Sequence, residues 1–197
     1  MAHAEEFFTT AEAAELAEIP PRAIEKVIEE GIVKIRNAPA PKGGARVRRL
    51  LSAEAVYFVA FLKRCDLEFS REQKRRLWQR FKETPADRLL TAKWRLFTGI
   101  EVHPGELLAP VHDRVVRYAG ARKRWIERNP DIKGGTPVIK GTRMSVYSVR
   151  GRIEHGDSIE DVMEDNPDLP RGAIEAALAY ASANPLVGRP GGKPWRT

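Results

Sequence analysis

The first ordered pattern along the chain is Thr9 and Glu12, three apart, ahead of Ala13, Leu16 and Ala17 at helical spacing. Such a pair forms a capping box, each side chain satisfying an orphan amide of the helix start. Pro20 and Pro21 end this helix and begin another, because proline is tolerated at the first helical position and little further in. Ile24, Val27 and Ile28 make the second apolar stripe, and Gly31 closes it. Two short helices across so brief a break read as a helix-turn-helix, with Arg22, Glu25, Lys26 and Glu29 facing outward.

An apolar run at 32–35, a basic turn-rich loop at 37–44 and the segment 45–51 then read as a two-stranded wing with a flexible tip. Ser52 is expected to cap an apolar helix. Ser70 and Gln73 form a second capping box, opening a helix with Leu77, Trp78 and Phe81 on one side. Residues 85–91 read as a connector. Trp94, Leu96, Thr98, Ile100 and Val102 alternate with their neighbours as in a single strand, and Leu107, Val111, Val115 and Tyr118 imply a helix after Pro104. Gly134 and Gly135 permit a tight turn. Val138 and Ile139 start a hairpin that turns at Lys140 and Gly141 and returns through 142–146. Three short helices should follow: one near 147–154 closed by Gly156, one capped by Ser158 with Asp161 three residues on, and one carrying Ile174, Ala177, Leu178 and Ala181.

Composition narrows the class. The 197 residues are 42% apolar, slightly below the ~45–50% of average globular chains but enough for a core. The longest apolar run, 55–62, is far short of the ~18 residues a membrane span needs. The first ten residues hold Glu5 and Glu6 and no basic residue, so no secretory signal is expected. Cys65 is the only cysteine, which excludes an intramolecular disulfide and a multi-cysteine zinc finger. A cytoplasmic protein is expected, with no membrane partner.

The net charge of +7 suits a polyanionic partner, and it is unevenly spread. Residues 34–49 hold six basic side chains and no acid. Residues 114–152 are again basic, whereas 157–181 carry seven acids against Arg171. The last two stretches can pair with each other within a chain or dimer. In the first, Arg36, Lys42, Arg46, Arg48 and Arg49 would contact a DNA backbone, while Arg22 and Lys26 approach base edges or flanking phosphates. Glu25, Glu29 and Glu30 oppose phosphate on the same helix, so base reading should be sparse.

Enzyme chemistry finds little support. Asp157, Asp161 and Asp165 recur every four residues and invite a metal-dependent nuclease, but such spacing is more often a solvated helical face whose early acids complement the helix dipole. His103 and His112 lack the spacing of a helical zinc pair. Arg64 beside Cys65 could lower the thiol pKa, yet no histidine lies near in sequence. Residues 134–141 lack the Gly-Lys-Ser/Thr ending of a phosphate loop. No catalytic residue, metal site or cofactor is expected.

Two resemblances bear on function. Phe8-Thr-Thr-Ala-Glu-Ala-Ala-Glu-Leu-Ala, Ile19-Pro-Pro-Arg-Ala-Ile24 and Glu30-Gly-Ile32 resemble the winged helix-turn-helix of MerR-type regulators over roughly 6–83. Asp131-Ile132, Gly134-Gly-Thr-Pro-Val-Ile-Lys-Gly-Thr-Arg143, Val146, Gly156, Ser158-Ile-Glu-Asp-Val162, Pro167-Asp-Leu169 and Ile174-Glu-Ala-Ala-Leu-Ala-Tyr-Ala181 resemble a domain-of-unknown-function family found in VapB-type antitoxins, over about 125–184. The second resemblance implies a hairpin followed by a homeodomain-like three-helix unit, and a neighbouring PIN-like ribonuclease toxin. The acidity of the last two helices points that unit toward protein, in toxin binding or dimerisation, rather than toward DNA.

The expected fold is mainly α with short β-hairpins. Residues 1–84 would form a winged helix-turn-helix domain, 85–128 a connector with a strand and a dimerisation or packing helix, 129–185 the hairpin and three-helix domain, and 186–197 a flexible tail. In that tail Arg189, Lys193 and Arg196 could enter a carboxylate-lined nuclease site, with Trp195 packing beside it. The expected function is an antitoxin that binds a PIN-like toxin and, as a homodimer on operator DNA, represses its own operon. The alternatives are a MerR-like ligand-responsive regulator without a toxin, which predicts a pocket in the C-terminal half, and a nuclease.

Overall fold

A computed structural model describes residues 6–38 and 48–185. The chain is mainly helical with small antiparallel sheets and divides into two compact units, 1–120 and 121–197. Residues 85–120 of the expected connector therefore belong to the first unit and 121–128 to the second. Among the described residues no helix is long and apolar enough to cross a membrane.

In the first unit, β1 (Phe7–Thr9) leads into α1 (Thr10–Ala17) through the expected capping box, and α2 (Pro21–Glu29) starts with proline at its first position. Ile32 and Val33 are buried in the bend that follows rather than forming a strand, so pairing starts later, at β2 (Arg36–Ala38). Strand β3 (Arg48–Ser52) is the middle of a three-stranded antiparallel sheet, ordered β1-β3-β2. The segment 7–9, expected only as a cap, thus supplies a third strand. Ser52 occupies the cap position of α3 (Ala53–Arg64), although its side chain makes no capping bond.

Helix α3 is the spine of this unit. Residues 55 to 61 are all buried, as in a helix surrounded on every side. Helix α4 (Arg71–Glu83) brings Leu77, Trp78 and Phe81 against it from the predicted Ser70–Gln73 capping box. Phe58, Phe61, Trp78, Phe81 and Trp94 then form one aromatic cluster with centroids 5.0–6.0 Å apart.

A short helix α5 (Ala86–Leu89) replaces the structureless connector. The single strand expected at 94–102 is a hairpin instead, β4 (Trp94–Phe97) and β5 (Ile100–Val102), with Phe97 opposite Ile100. Gly99 supplies the positive φ of 82° that the two-residue turn requires. Helix α6 (Pro104–Trp125) buries Leu108, Val111, Val115 and Tyr118; Leu108 takes the core position expected of Leu107. Gly105 is fixed by contact: a Cβ there would stand 1.8 Å from the Leu90 carbonyl oxygen.

In the second unit, β6 (Ile126–Glu127) pairs antiparallel with β7 (Val138–Ile139). The expected return strand at 142–146 is a single bridge between Val138 and Ser145, flanked by backbone bonds from the Ile139 amide to the Met144 carbonyl at 2.9 Å and from the Val146 amide to that of Pro137 at 3.0 Å. Helices α7 (Val146–Glu154), α8 (Ile159–Asp165) and α9 (Arg171–Ala183) follow as expected. Ala173, Ala176, Ala177 and Ala181 keep the buried face of α9 small, so neighbouring backbone approaches closely. Arg150 donates to the Ala181 carbonyl at 3.0 Å and Tyr147 to that of Asn184 at 3.0 Å, satisfying carbonyls at the end of α9.

Candidate nucleic-acid interface

The α1–α2 turn is pinned by two arginines, and the start of α1 by a buried carboxylate. Helix α1 has no basic residue in its own last turn, and its cap Glu18 sits in the left-handed region at φ 54°. Two arginines from elsewhere complement that negative end. Arg64 of α3 donates to the Ala17 carbonyl at 3.2 Å and to Glu18 at 3.1 Å. Arg114 of α6 donates to the Leu16 carbonyl at 2.8 Å and lies 3.0 Å from Glu18. Inside, the buried Glu12 carboxylate accepts from the Thr9 backbone amide at 2.7 Å and from the Tyr118 hydroxyl at 2.6 Å.

The far end of α2 is held by α4. Lys74 pairs with the Glu30 carboxylate at 2.8 Å, and Arg71 donates twice to the Glu30 carbonyl at 2.7 and 3.0 Å. Glu30 is thus neutralised within the fold and drops out of the carboxylates expected to oppose phosphate.

Arg22, Glu25, Lys26 and Glu29 are all exposed, opposite buried Ile24 and Val27. At ~100° per residue the four fall in the angular order Glu25, Glu29, Arg22, Lys26. The acids line one edge of the outward face and the bases the other. Among the described residues, the side chains of Arg22 and Lys26 make no hydrogen bond or ion pair.

The sheet divides its own basic residues. Arg36 opposes Leu50, and Arg48 opposes Ala38, so Arg36 and Arg48 share the face that carries Phe7. The Arg36 guanidinium lies 5.2 Å from the Phe7 ring centroid. Arg49 opposes Asn37 on the other face, in line with the fully buried Phe8 and Leu51, and emerges where that apolar row ends. Lys42 and Arg46 lie outside the described residues, as do Arg189, Lys193, Trp195 and Arg196.

In the second unit, basic and acidic side chains do pair. Arg152 bridges Asp157 and, at 2.7 Å, Asp165. Arg171 joins Glu160 and, at 3.8 Å, Glu175. Asp161 accepts from the Ser158 backbone at 2.7 Å; that bond, then the Ser158 hydroxyl, hold its carboxyl below the usual range. The three aspartates that invited a nuclease reading are therefore committed to an arginine and a helix cap. Among the described residues no cluster of three or more His, Cys, Asp or Glu is placed to hold a metal. Lys133, Lys140 and Arg143 are exposed and have no ion pair among those residues.

The remaining histidine and cysteine candidates each have neighbours of their own. His112 Nδ1 lies 3.2 Å from the Tyr57 hydroxyl, and burial pushes that hydroxyl far above its ordinary pKa, with Glu54 and Glu6 acting in the same direction. His103 sits between Glu101 and Glu106. Arg64 turns to Glu18 rather than to Cys65, whose thiol pKa is raised by burial and then by Asp66.

The short β6–β7 pairing followed by three helices defines a small module, and residues 126–181 match the family model described as Protein of unknown function (DUF433). That span lies within the 125–184 stretch that carried the second resemblance. Across the longer chain, the uncharacterized protein y4eO of Sinorhizobium fredii (strain NBRC 101917 / NGR234) is 31% identical over 189 residues, 93% of this chain and 84% of the relative. The chain belongs to the same family as y4eO. Among solved structures, the X-ray crystal structure of Rv2018 from Mycobacterium tuberculosis is similar at 14% identity, spanning 87% of this chain and 96% of its own; the TM-score of 0.38 is too low to assign a fold by likeness.

Proposed function

We propose that the chain is the antitoxin of a type II toxin–antitoxin pair, a cytoplasmic protein that binds DNA through a MerR-like winged helix-turn-helix and a PIN-like ribonuclease toxin through its remaining surface. The observation that carries the DNA half is the pinned pair α1–α2 beside the three-stranded sheet. It presents Arg22 and Lys26 on one helix edge and Arg36, Arg48 and Arg49 on the strands. Free guanidinium and ammonium groups on rigid elements are what phosphate contact needs. One short recognition helix reads few base pairs, so a homodimer on a two-fold operator is the expected form. Wing residues Lys42 and Arg46 would extend the backbone contacts.

The toxin half rests on the VapB-type resemblance of residues 125–184 and on the pairing of the acids of α8 and α9 with arginines, which leaves little cationic surface there for DNA. The tail would supply Arg189, Lys193, Trp195 and Arg196 to the toxin's carboxylate-lined site. Co-expression with the product of the adjacent gene tests this reading. The full chain should rescue growth and co-purify with that product, and a chain lacking 186–197 should co-purify but rescue poorly. Undiminished rescue by the truncated chain ends the tail's role, and no rescue by the full chain ends the antitoxin reading.

A further inference from the structure

Beside α4 lies a groove that neither the DNA face nor the toxin reading uses. It has a volume of about 300 Å³ and is lined by Arg76 and Arg80 of α4, Arg95 of β4, and the apolar side chains of Phe69, Leu77 and Phe97 among others. That is the low end of the ~300–1,000 Å³ of small-molecule sites, room for one ring system and one charged group.

Its charge is out of balance. Three exposed arginines line one small space, and among the described residues only Arg76 has an ion pair, with Glu72 at 2.5 Å on the exposed side of the helix. The Arg80 guanidinium rests 5.1 Å from the Trp94 ring centroid, a contact that orients it without neutralising it. Glu101 stands across the ladder from Arg95, but its carboxylate is 3.4 Å from His103, and Arg95 has no ion pair among the described residues. Like charges so placed repel one another, and an anion bound among them relieves that repulsion with charge-assisted, bidentate hydrogen bonds.

The rest of the lining is aromatic. Phe69 and Phe97 are nearly parallel, with planes inclined by 22° and centroids 6.3 Å apart. They are joined by the apolar flank of Leu77. This surface suits the face of a planar ring. We infer that the groove binds a small phosphorylated aromatic molecule of the nucleoside monophosphate class, the phosphate on Arg76, Arg80 and Arg95 and the ring against Phe69 and Phe97. This assignment stands apart from DNA or toxin binding, because none of these residues belongs to either proposed surface.

The test is an amide NMR titration of the full chain with adenosine monophosphate, adenosine, inorganic phosphate and a short single-stranded oligonucleotide. Adenosine monophosphate should bind saturably, at about 1 mM or tighter, shifting the amides of 69, 95 and 97. Adenosine and phosphate should each bind at least ~10-fold more weakly, since each lacks half of the recognised chemistry. Arg95→Ala should weaken binding ~10-fold, and Arg95→Lys should restore part of the affinity. Arg95 is exposed, so neither variant threatens folding. Phosphate binding as tightly as the nucleotide, an unchanged affinity in Arg95→Ala, or shifts produced by the oligonucleotide alone overturn the assignment.

Discussion

The residue that most clearly ties chemistry to architecture is Glu12. It is 2% exposed, yet it carries a carboxylate that serves the cap of α1 and the Tyr118 hydroxyl from α6 at once. Thr9 and Glu12 are legible as a cap from their spacing; the reach to Tyr118, more than a hundred positions away, is not, because no local pattern encodes a distant partner. Glu12→Ala removes the acceptor from both donors inside the fold, and stability should fall by about 2–3 kcal/mol in a denaturant titration. Glu12→Gln keeps an acceptor oxygen and should cost less. Equal stability of both variants and the parent would mean that Glu12 is incidental to the α1–α6 connection. Glu30 carries the complementary lesson: in sequence it counts against phosphate binding, but Lys74 and Arg71 take it out of that role.

Among the elements, caps and amphipathic helices are legible because their signals lie within a single turn. Ser70 with Gln73 and Ser158 with Asp161 both form the bonds their spacing implies. Strands are harder. The two-residue turn at Thr98 and Gly99 pairs Phe97 with Ile100, out of step with the alternation, but the bulge between Arg95 and Phe97 restores it, so Trp94 faces Val102 and periodicity cannot separate one long strand from a hairpin. The apolar run at 32–35 has the composition of a strand, although burial of Ile32 and Val33 is satisfied equally by a bend. Helix α8 offers the test at this level. Ser158→Ala deletes its cap and should cost the second unit about 1 kcal/mol. Glu160, through its backbone amide and then Arg171, and Asp161, through Ser158, are both held below their ordinary pKa values. A lowered carboxylate pKa lends stability that is present above the unfolded value of ~4 and disappears as pH falls through the folded value. Thermal melts should therefore show the Ser158→Ala penalty at neutral pH and a shrinking one below about pH 4. A penalty that grows on acidification contradicts the capping account.

Taken whole, the molecule holds both engaged and unengaged cations in each unit, Lys133, Lys140 and Arg143 of the second having no ion pair among the described residues. In the second unit Arg152 and Arg171 already answer four of the acids, whereas Arg22, Lys26, Arg48 and Arg49 in the first unit answer nothing within the described fold. Local basic clustering is visible in the sequence; the sorting of Arg36 and Arg48 to one sheet face and Arg49 to the other depends on register and is not. The groove among Arg76, Arg80 and Arg95 escapes a sequence reading for a related reason, since it joins a helix to a strand whose pairing the alternation does not reveal. The central claim, that the unpaired cations of the first unit grip DNA, is tested most directly by titrating the full chain onto the DNA upstream of its own gene at several salt concentrations. The account predicts a steep fall of log K with log salt, and a slope flattened in the Arg48→Ala, Arg49→Ala double variant by ~0.9 for each phosphate no longer neutralised. Absence of binding, or the same slope in parent and double variant, contradicts it.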